Sequence, residues 1–310
     1  MSLQYRRVCN VAIGDPKTGH GLAVNQDFRI KFVVAKTIRE TPNHAVIQVF
    51  NLSEESDAKT HDEFTSVIVN AGYQDSARLL FTGNIRRVWT YKDGVNMITE
   101  IRAADGDDDY RNTVVNACFS AGVTDRSILE HLGRKFKTTQ LGDTSLVSTE
   151  ARKRGKIVIG VGRAEIKRIA QSIDAHWSIQ DGVLQFVPFE GTLPEEATVI
   201  RADTGMLKTP EISDKGIKVF CLLNPALKCG GKVKLDNNDL KEKVQKDRDR
   251  KPGAKPHKEK TLTKLSPDGI YRIDKIIHRG DTREREWVSE VTCTSLGSPI
   301  SVDRLVTADS

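Results

Sequence analysis

A near-repeat constrains this chain more than any other feature. IQVFNL at residues 47–52 and IKVFCL at residues 217–222 agree at four of six positions, and the segments after them are collinear. TSVIVNAGY and then ARLLFTGNIRRVWTYKDGVNMITEIRAAD follow the first; CGGKVKLDN and then DGIYRIDKIIHRGDTREREWVSEVTCTS follow the second. Val69 corresponds to Leu235, Ile98 to Val288, and ITEI to VSEV. The spacing between counterparts grows between these two points, where the second copy carries a charged insertion. A chain built this way must fold one structural unit twice.

The unit is made of strands. IQVFN, VIVNA, LLFTGNIRRVWTY and MITEIRA are rich in β-branched and aromatic residues, which suit a pleated, half-buried surface. Lys92-Asp93-Gly94 and Arg279-Gly280-Asp281 read as matching turns, where glycine supplies positive φ. A length of 310 residues accommodates about two domains and leaves ample chain for cores. The expected fold is α+β and mainly β, with two related β barrels or sandwiches at residues 1–109 and 199–310. The second has its insertion at about 236–265.

Between the copies, at residues 110–198, the period changes. TDRSILEHLGRKF places Ile128, Leu129, Leu132 and Phe136 on one helical face behind a Thr124/Asp125 cap. RAEIKRIAQSIDAHW does the same with Ile166, Ile169, Ala170 and Ile173, and WSIQDGVLQFVP reads as a hairpin turning at Asp181-Gly182. A small α/β module separates the two β units.

The formal net charge is +6, but residues 241–260, KEKVQKDRDRKPGAKPHKEK, hold nine Lys/Arg against four Asp/Glu. Outside them 39 basic residues face 38 acidic ones. This loop has no aromatic residue to stack on bases, so a solvated insertion broken by Pro252, Gly253 and Pro256 is expected in place of a nucleic-acid site. The first residues, MSLQYRRVCNVAIGDP, lack the apolar run of a signal peptide. No stretch approaches the roughly 20 apolar residues of a membrane helix.

Motifs with chemical meaning are few. Cys9, Cys118, Cys221, Cys229 and Cys293 are scattered without metal-ligand spacing and read as reduced thiols. KIVIGVGRAEIKRIA runs from a strand through Gly160-x-Gly162 into a helix, as a dinucleotide site begins, but Glu165 replaces the third glycine. A carboxylate there repels pyrophosphate and suits the first turn of a helix. DGDDD at residues 105–109 alternates oxygen ligands, yet Tyr110 and Asn116 occupy the positions where a calcium loop needs Gly and Glu, so a solvated acidic linker is expected. The histidines do not cluster, His176 reads as a half-buried structural residue, and GxSxG and HExxH are missing. The sequence therefore nominates no catalytic, cofactor-binding or metal-binding residue. A non-enzymatic scaffold without cofactor is expected; the alternative is a nucleotide-binding or hydrolytic enzyme using Gly160-x-Gly162.

VFNLSEES, VIVNAGYQDSARLLFTGNIRRVW and ITEIRAADGDDDYR resemble the first tube domain of the baseplate hub proteins of tailed bacteriophages. Asn51, Leu52, Ser53, Ala71, Gly72, Tyr73, Phe81, Gly83 and Ile85 carry that likeness. TGMLKTPEISDKGIKVFCLLNPALKCGGKVKLDN and DGIYRIDKIIHRGDTREREWVSEV resemble the second tube domain, through Gly205, Pro210, Gly216, Leu222, Leu223, Asn224, Pro225, Gly230, Gly280, Asp281 and Trp287. The resemblance spans residues 40–300 or so and implies two tube-type β barrels. It also implies a homotrimer in the virion tail baseplate, assembled in the host cytoplasm, that joins a sixfold tail tube to a threefold central spike. Implied partners are the tail tube protein, the spike protein and the tape-measure protein, with DNA passing in transit. The hub of a phage-like contractile injection system is the related alternative.

Overall fold

The computed structural model describes residues 6–25, 27–213, 216–236, 266 and 268–296. The basic segment 241–260 lies outside the described residues. The first part of the chain forms β1 (Arg7–Gly14), β2 (Gly21–Val24), β3 (Ile30–Thr37), β4 (His44–Phe50), α1 (Glu54–Asp62), β5 (Ser66–Tyr73), β6 (Arg78–Asp93) and β7 (Asn96–Ala104). The middle forms α2 (Asp107–Asn112), β8 (Val114–Phe119), α3 (Asp125–Gly133), β9 (Gln140–Leu141), β10 (Lys156–Val161), α4 (Gly162–Ser172), β11 (Ala175–Gln180) and β12 (Val183–Pro188). The last part forms β13 (Thr198–Val199), β14 (Glu211–Ser213), β15 (Gly216–Leu222), β16 (Lys232–Lys234), β17 (Ile270–Asp281) and β18 (Trp287–Ser295). The fold is mainly β.

The two halves share one strand order. β4 lies between β3 and β7, and β7 leads to β6 and then β5; β15 lies between β14 and β18, and β18 leads to β17 and then β16. The segments 47–52 and 217–222 therefore occupy the same place in each half. Register differs slightly: Gln48 opposes Glu100, whereas the counterpart Glu290 opposes Phe220 and Lys218 opposes Thr292. A two-residue slip preserves which face each side chain takes, because strand side chains alternate with period two.

Among the described residues neither half closes into a barrel by itself. The outer edge of β17 is completed by β3 of the other half, from Lys275↔Thr37 to Asp281↔Lys31, and the result is a single thirteen-stranded sheet. Within the first half the sheet curls, since Val11, Ile13 and Val67 of β1 and β5 share a core with Phe32 and Ile47 of β3 and β4. That core also takes in Leu223 and Trp287 from the second half. The rings of Phe32 and Trp287 meet edge to face at 5.5 Å, a geometry favoured by aromatic quadrupoles. A second core gathers Ile217, Val219, Tyr271, Ile276 and Val291.

The expected matching turns are half right. Gly94 has φ +60° in the turn joining β6 and β7, as its lack of a Cβ allows. Arg279, Gly280 and Asp281 instead lie inside β17. Glycine is required there for close approach, because a Cβ on Gly280 would collide with the rings of Phe32 and Trp287.

In the middle module the expected helices form. Thr124 caps α3 by accepting from the Ser127 amide at 3.1 Å, and Ile128, Leu129 and Leu132 are buried with Ile166, Ile169 and Ala170 of α4 in a third core. The hairpin turns where the sequence places it, with Asp181 at φ 53° and Gly182 at φ 79°.

Candidate functional site

The Gly160-x-Gly162 turn does not present a phosphate cradle. The Gly162 amide donates to the Thr113 carbonyl at 2.7 Å. Glu165 is 1% exposed and forms no cap: it pairs with Lys156 and, at 3.1 Å, with Arg168. Glu165 sits in the first turn of α4, as expected, and its buried ion pair also ties β10 to α4.

The acidic run departs furthest from expectation. Asp105, Asp107 and Asp109 are buried, not solvated, because main-chain donors and arginines compensate their charges. Asp109 accepts from the amides of Lys137 (2.7 Å), Thr138 (2.8 Å) and Thr139 (2.7 Å) and from the Thr138 hydroxyl. Burial would raise its pKa, but these donors outweigh it and hold the carboxyl below its ordinary value. Asp107 pairs with Arg86 and Arg111. Asp105 accepts from the amides of Asp181 and Gly182 at the hairpin turn, while Lys36 of β3 holds the Asp181 carboxylate at 2.6 Å. Burial, then the neighbouring Asp181, push the Asp105 carboxyl up to about 7. The run is a clamp between the first half and the middle module. The second half grips the same module through buried Arg272, which donates to the carbonyls of Pro188 and Phe189 at 3.1 and 2.6 Å.

His278 Nδ1 lies 2.8 Å from Ser289 Oγ, but both residues are buried, 1% and 0% exposed, and burial drives the imidazole pKa down to about 3. His176 is half-buried against Phe189, as expected. Four cysteines are buried and Cys118 is exposed. Among the described residues no His, Cys, Asp and Glu side chains gather at metal-ligand spacing, and no helix is long and apolar enough to cross a membrane.

What the fold does present is a wide sheet face and open strand edges. Opposite the cores, β15, β18, β17, β3, β4, β7 and β6 carry Lys218, Glu290, Arg279, Lys31, Gln48, Glu100, Arg102 and Trp89. Each half places one glutamate at its centre. Glu290 binds Arg279 at 2.9 Å and Lys218 at 3.5 Å; burial would raise its pKa, but these cations hold it below the ordinary value. Glu100 accepts from Arg102 at 3.1 Å and Gln48 at 2.8 Å, and Arg102 stacks over Trp89 at 4.5 Å from the ring centroid. The sequence match of ITEI with VSEV marks this pair, although nothing in the sequence alone distinguishes it from ordinary strand charges.

Among the described residues β2 and β14 end the large sheet, and part of β6 is an edge as well. β6 pairs with β5 only from Arg78 to Asn84; beyond Ile85 that side meets no strand among the described residues. β14 pairs with β15 alone.

Comparison with known proteins agrees with this architecture. A family model described as baseplate hub gp41 matches residues 8–242. No curated protein sequence matches the chain. Among solved structures, the 43 kDa tail protein of prophage MuSo2 from Shewanella oneidensis is 7% identical with a TM-score of 0.58, over 93% of this chain and 96% of that one. A tail protein from Neisseria meningitidis MC58 is 11% identical at TM-score 0.56, over 94% and 98%. An E. coli protein described as a component of the type VI secretion system, with structural similarity to T4 bacteriophage tail proteins, is 13% identical at TM-score 0.54, over 88% and 74%. At such identities these structures share the fold alone.

Proposed function

This chain belongs to the baseplate hub gp41 family of phage-tail structural proteins, and on that premise we propose that it forms a homotrimeric ring adapting a sixfold tail tube to a threefold central spike. The observation that carries this reading is the strand order repeated in the two halves and joined through β17 and β3. A trimer of a twofold-repeated chain presents six similar units on one side while keeping threefold symmetry on the other, and cyclic symmetry makes every contact recur. Its units are residues 1–109 and 199–310, each completing a tube-type barrel only within the ring, with the module 110–198 between them and the insertion at about 236–265 in the second. The ring lines the passage for DNA, contacts the tube and spike proteins and the tape-measure protein, and catalyses no reaction.

Native mass spectrometry of the full chain, alone and with the tube and spike proteins of the same genome, tests the proposal. Trimers that bind both partners are the expected result; a chain that stays monomeric or binds neither contradicts it. The likeness to a type VI secretion component favours a second reading, the hub of a phage-like injection machine. A gene neighbourhood with a capsid and a terminase separates the first reading from the second.

A further inference from the structure

The β11–β12 hairpin is held at its two ends by different halves of the chain. At its base Arg272 of the second half donates to the carbonyls of Pro188 and Phe189. At its tip the first half takes over. Asn43 donates to the Ile179 carbonyl and to Gln180 Oε1, both at 2.9 Å, and Gln180 donates to the Thr37 carbonyl at 2.6 Å. Asp105 accepts from the amides of Asp181 and Gly182 at 2.5 and 2.8 Å.

The charges at this tip do not balance. Lys36 reaches both carboxylate oxygens of Asp181, at 2.7 and 2.6 Å, so the cation is committed to one of two carboxyl groups. The other, Asp105, is 0% exposed, and Asp181 and Lys36 are the charges that act on it. Nearby, Asp107 is matched by Arg86 and Arg111, and Asp109 by its amide donors. His278 and Cys229, which also feel Lys36, are kept neutral by burial. β4 contributes the exposed His44, next to Asn43. A buried carboxyl without a cation of its own retains its proton. Asp181 also has left-handed backbone, φ 53°, which a residue with a side chain disfavours, so the turn relaxes once its hold weakens.

We propose that this joint is a proton-operated latch: a neutral Asp105 fastens the hairpin tip to the first half, and loss of its proton to water frees the tip while Arg272 keeps the base as a pivot. With the tip docked, burial and Asp181 raise the Asp105 carboxyl from its ordinary 3.8 to about 7; a freed tip returns it to the ordinary value. Docking is therefore tightest below about pH 4, weakens as pH rises to about 7, and changes no further above that.

Hydrogen–deuterium exchange of the full chain, followed by mass spectrometry from pH 4.5 to 8 and corrected for the intrinsic rate at each pH, tests the latch in the peptide covering residues 180–184. Protection there should fall by up to about tenfold per pH unit and level off near pH 7, while the peptide covering α3 stays constant. Asp105→Asn should flatten the profile. Asp181→Asn keeps the turn, since Asn tolerates left-handed backbone, and leaves Lys36 to Asp105, so the fall should move to lower pH; this variant carries the test alone if Asp105→Asn does not fold. A flat wild-type profile overturns the latch. So does a fall shared equally by α3, which is unfolding of the whole module, or one that both variants leave unchanged, which belongs to another group.

Discussion

β6 and β17 hold the same place in the two halves, yet one has an exposed outer part and the other is among the most buried strands of the molecule. Their neighbours on the inner side, β7 and β18, are equivalent. The difference is whether a strand lies on the outer edge. Burial in this sheet is set by which edge is covered, so equivalent residues carry very different loads in the two halves.

Trp287 and Met97 open the matched segments WVSEV and MITEI and make the largest contrast. Trp287 is 1% exposed and Met97 45%. Trp287→Ala should cost about 3–5 kcal/mol in urea unfolding and Met97→Ala about 0.5 kcal/mol or less; equal losses would break the comparison. Next come the grips on the middle module, an acceptor from one half and a donor from the other. Asp109→Ala strips the partner from three amides and Arg272→Ala from several carbonyls and Asp274, each costing about 3 kcal/mol. Hydrogen exchange at Thr138 and Thr139 should accelerate only in the first variant.

The two glycines differ in cause more than in size. Gly280→Ala forces the rings of Phe32 and Trp287 apart at about 1–3 kcal/mol, and Gly94→Ala pays about 1 kcal/mol for positive φ. Asn tolerates that conformation, so Gly94→Asn should recover most of the loss in thermal melts and Gly280→Asn none. The smallest effect is a pH dependence. The Asp105 carboxyl, raised from 3.8 to about 7, is neutral in folded and unfolded chains below about 4. As pH rises to 7 the unfolded group ionises first, so its contribution to stability declines over that window. The Tm gap between wild type and Asp105→Asn should therefore narrow from pH 4 to pH 7; a gap that widens contradicts the burial of that carboxyl.

The repeat was legible because strand residues and their order survive in the sequence even where identity is low. The caps at Thr124 and the turn at Asp181-Gly182 were legible for a local reason, since both depend on residues a few positions apart. The acidic clamp was not. Asp105 and Asp109 take their donors from Asp181, Gly182 and residues 137–139, and no local pattern shows which distant amides will meet a carboxylate. The first-turn place of Glu165 was legible, but its partner Lys156 at the start of β10 was not. Strand content marks each unit, but closure into two barrels is not seen among the described residues, where the β17–β3 pairing unites the halves in one sheet.

The ring proposed for this chain requires its two halves to stand as equivalent units in a trimer. Electron cryo-microscopy of the purified full chain tests it most directly. A ring of three chains, each of 34.5 kDa, whose two halves are related by a near-sixfold rotation is the expected result. A twofold assembly, or a threefold one whose two halves stand in unrelated orientations, would contradict it.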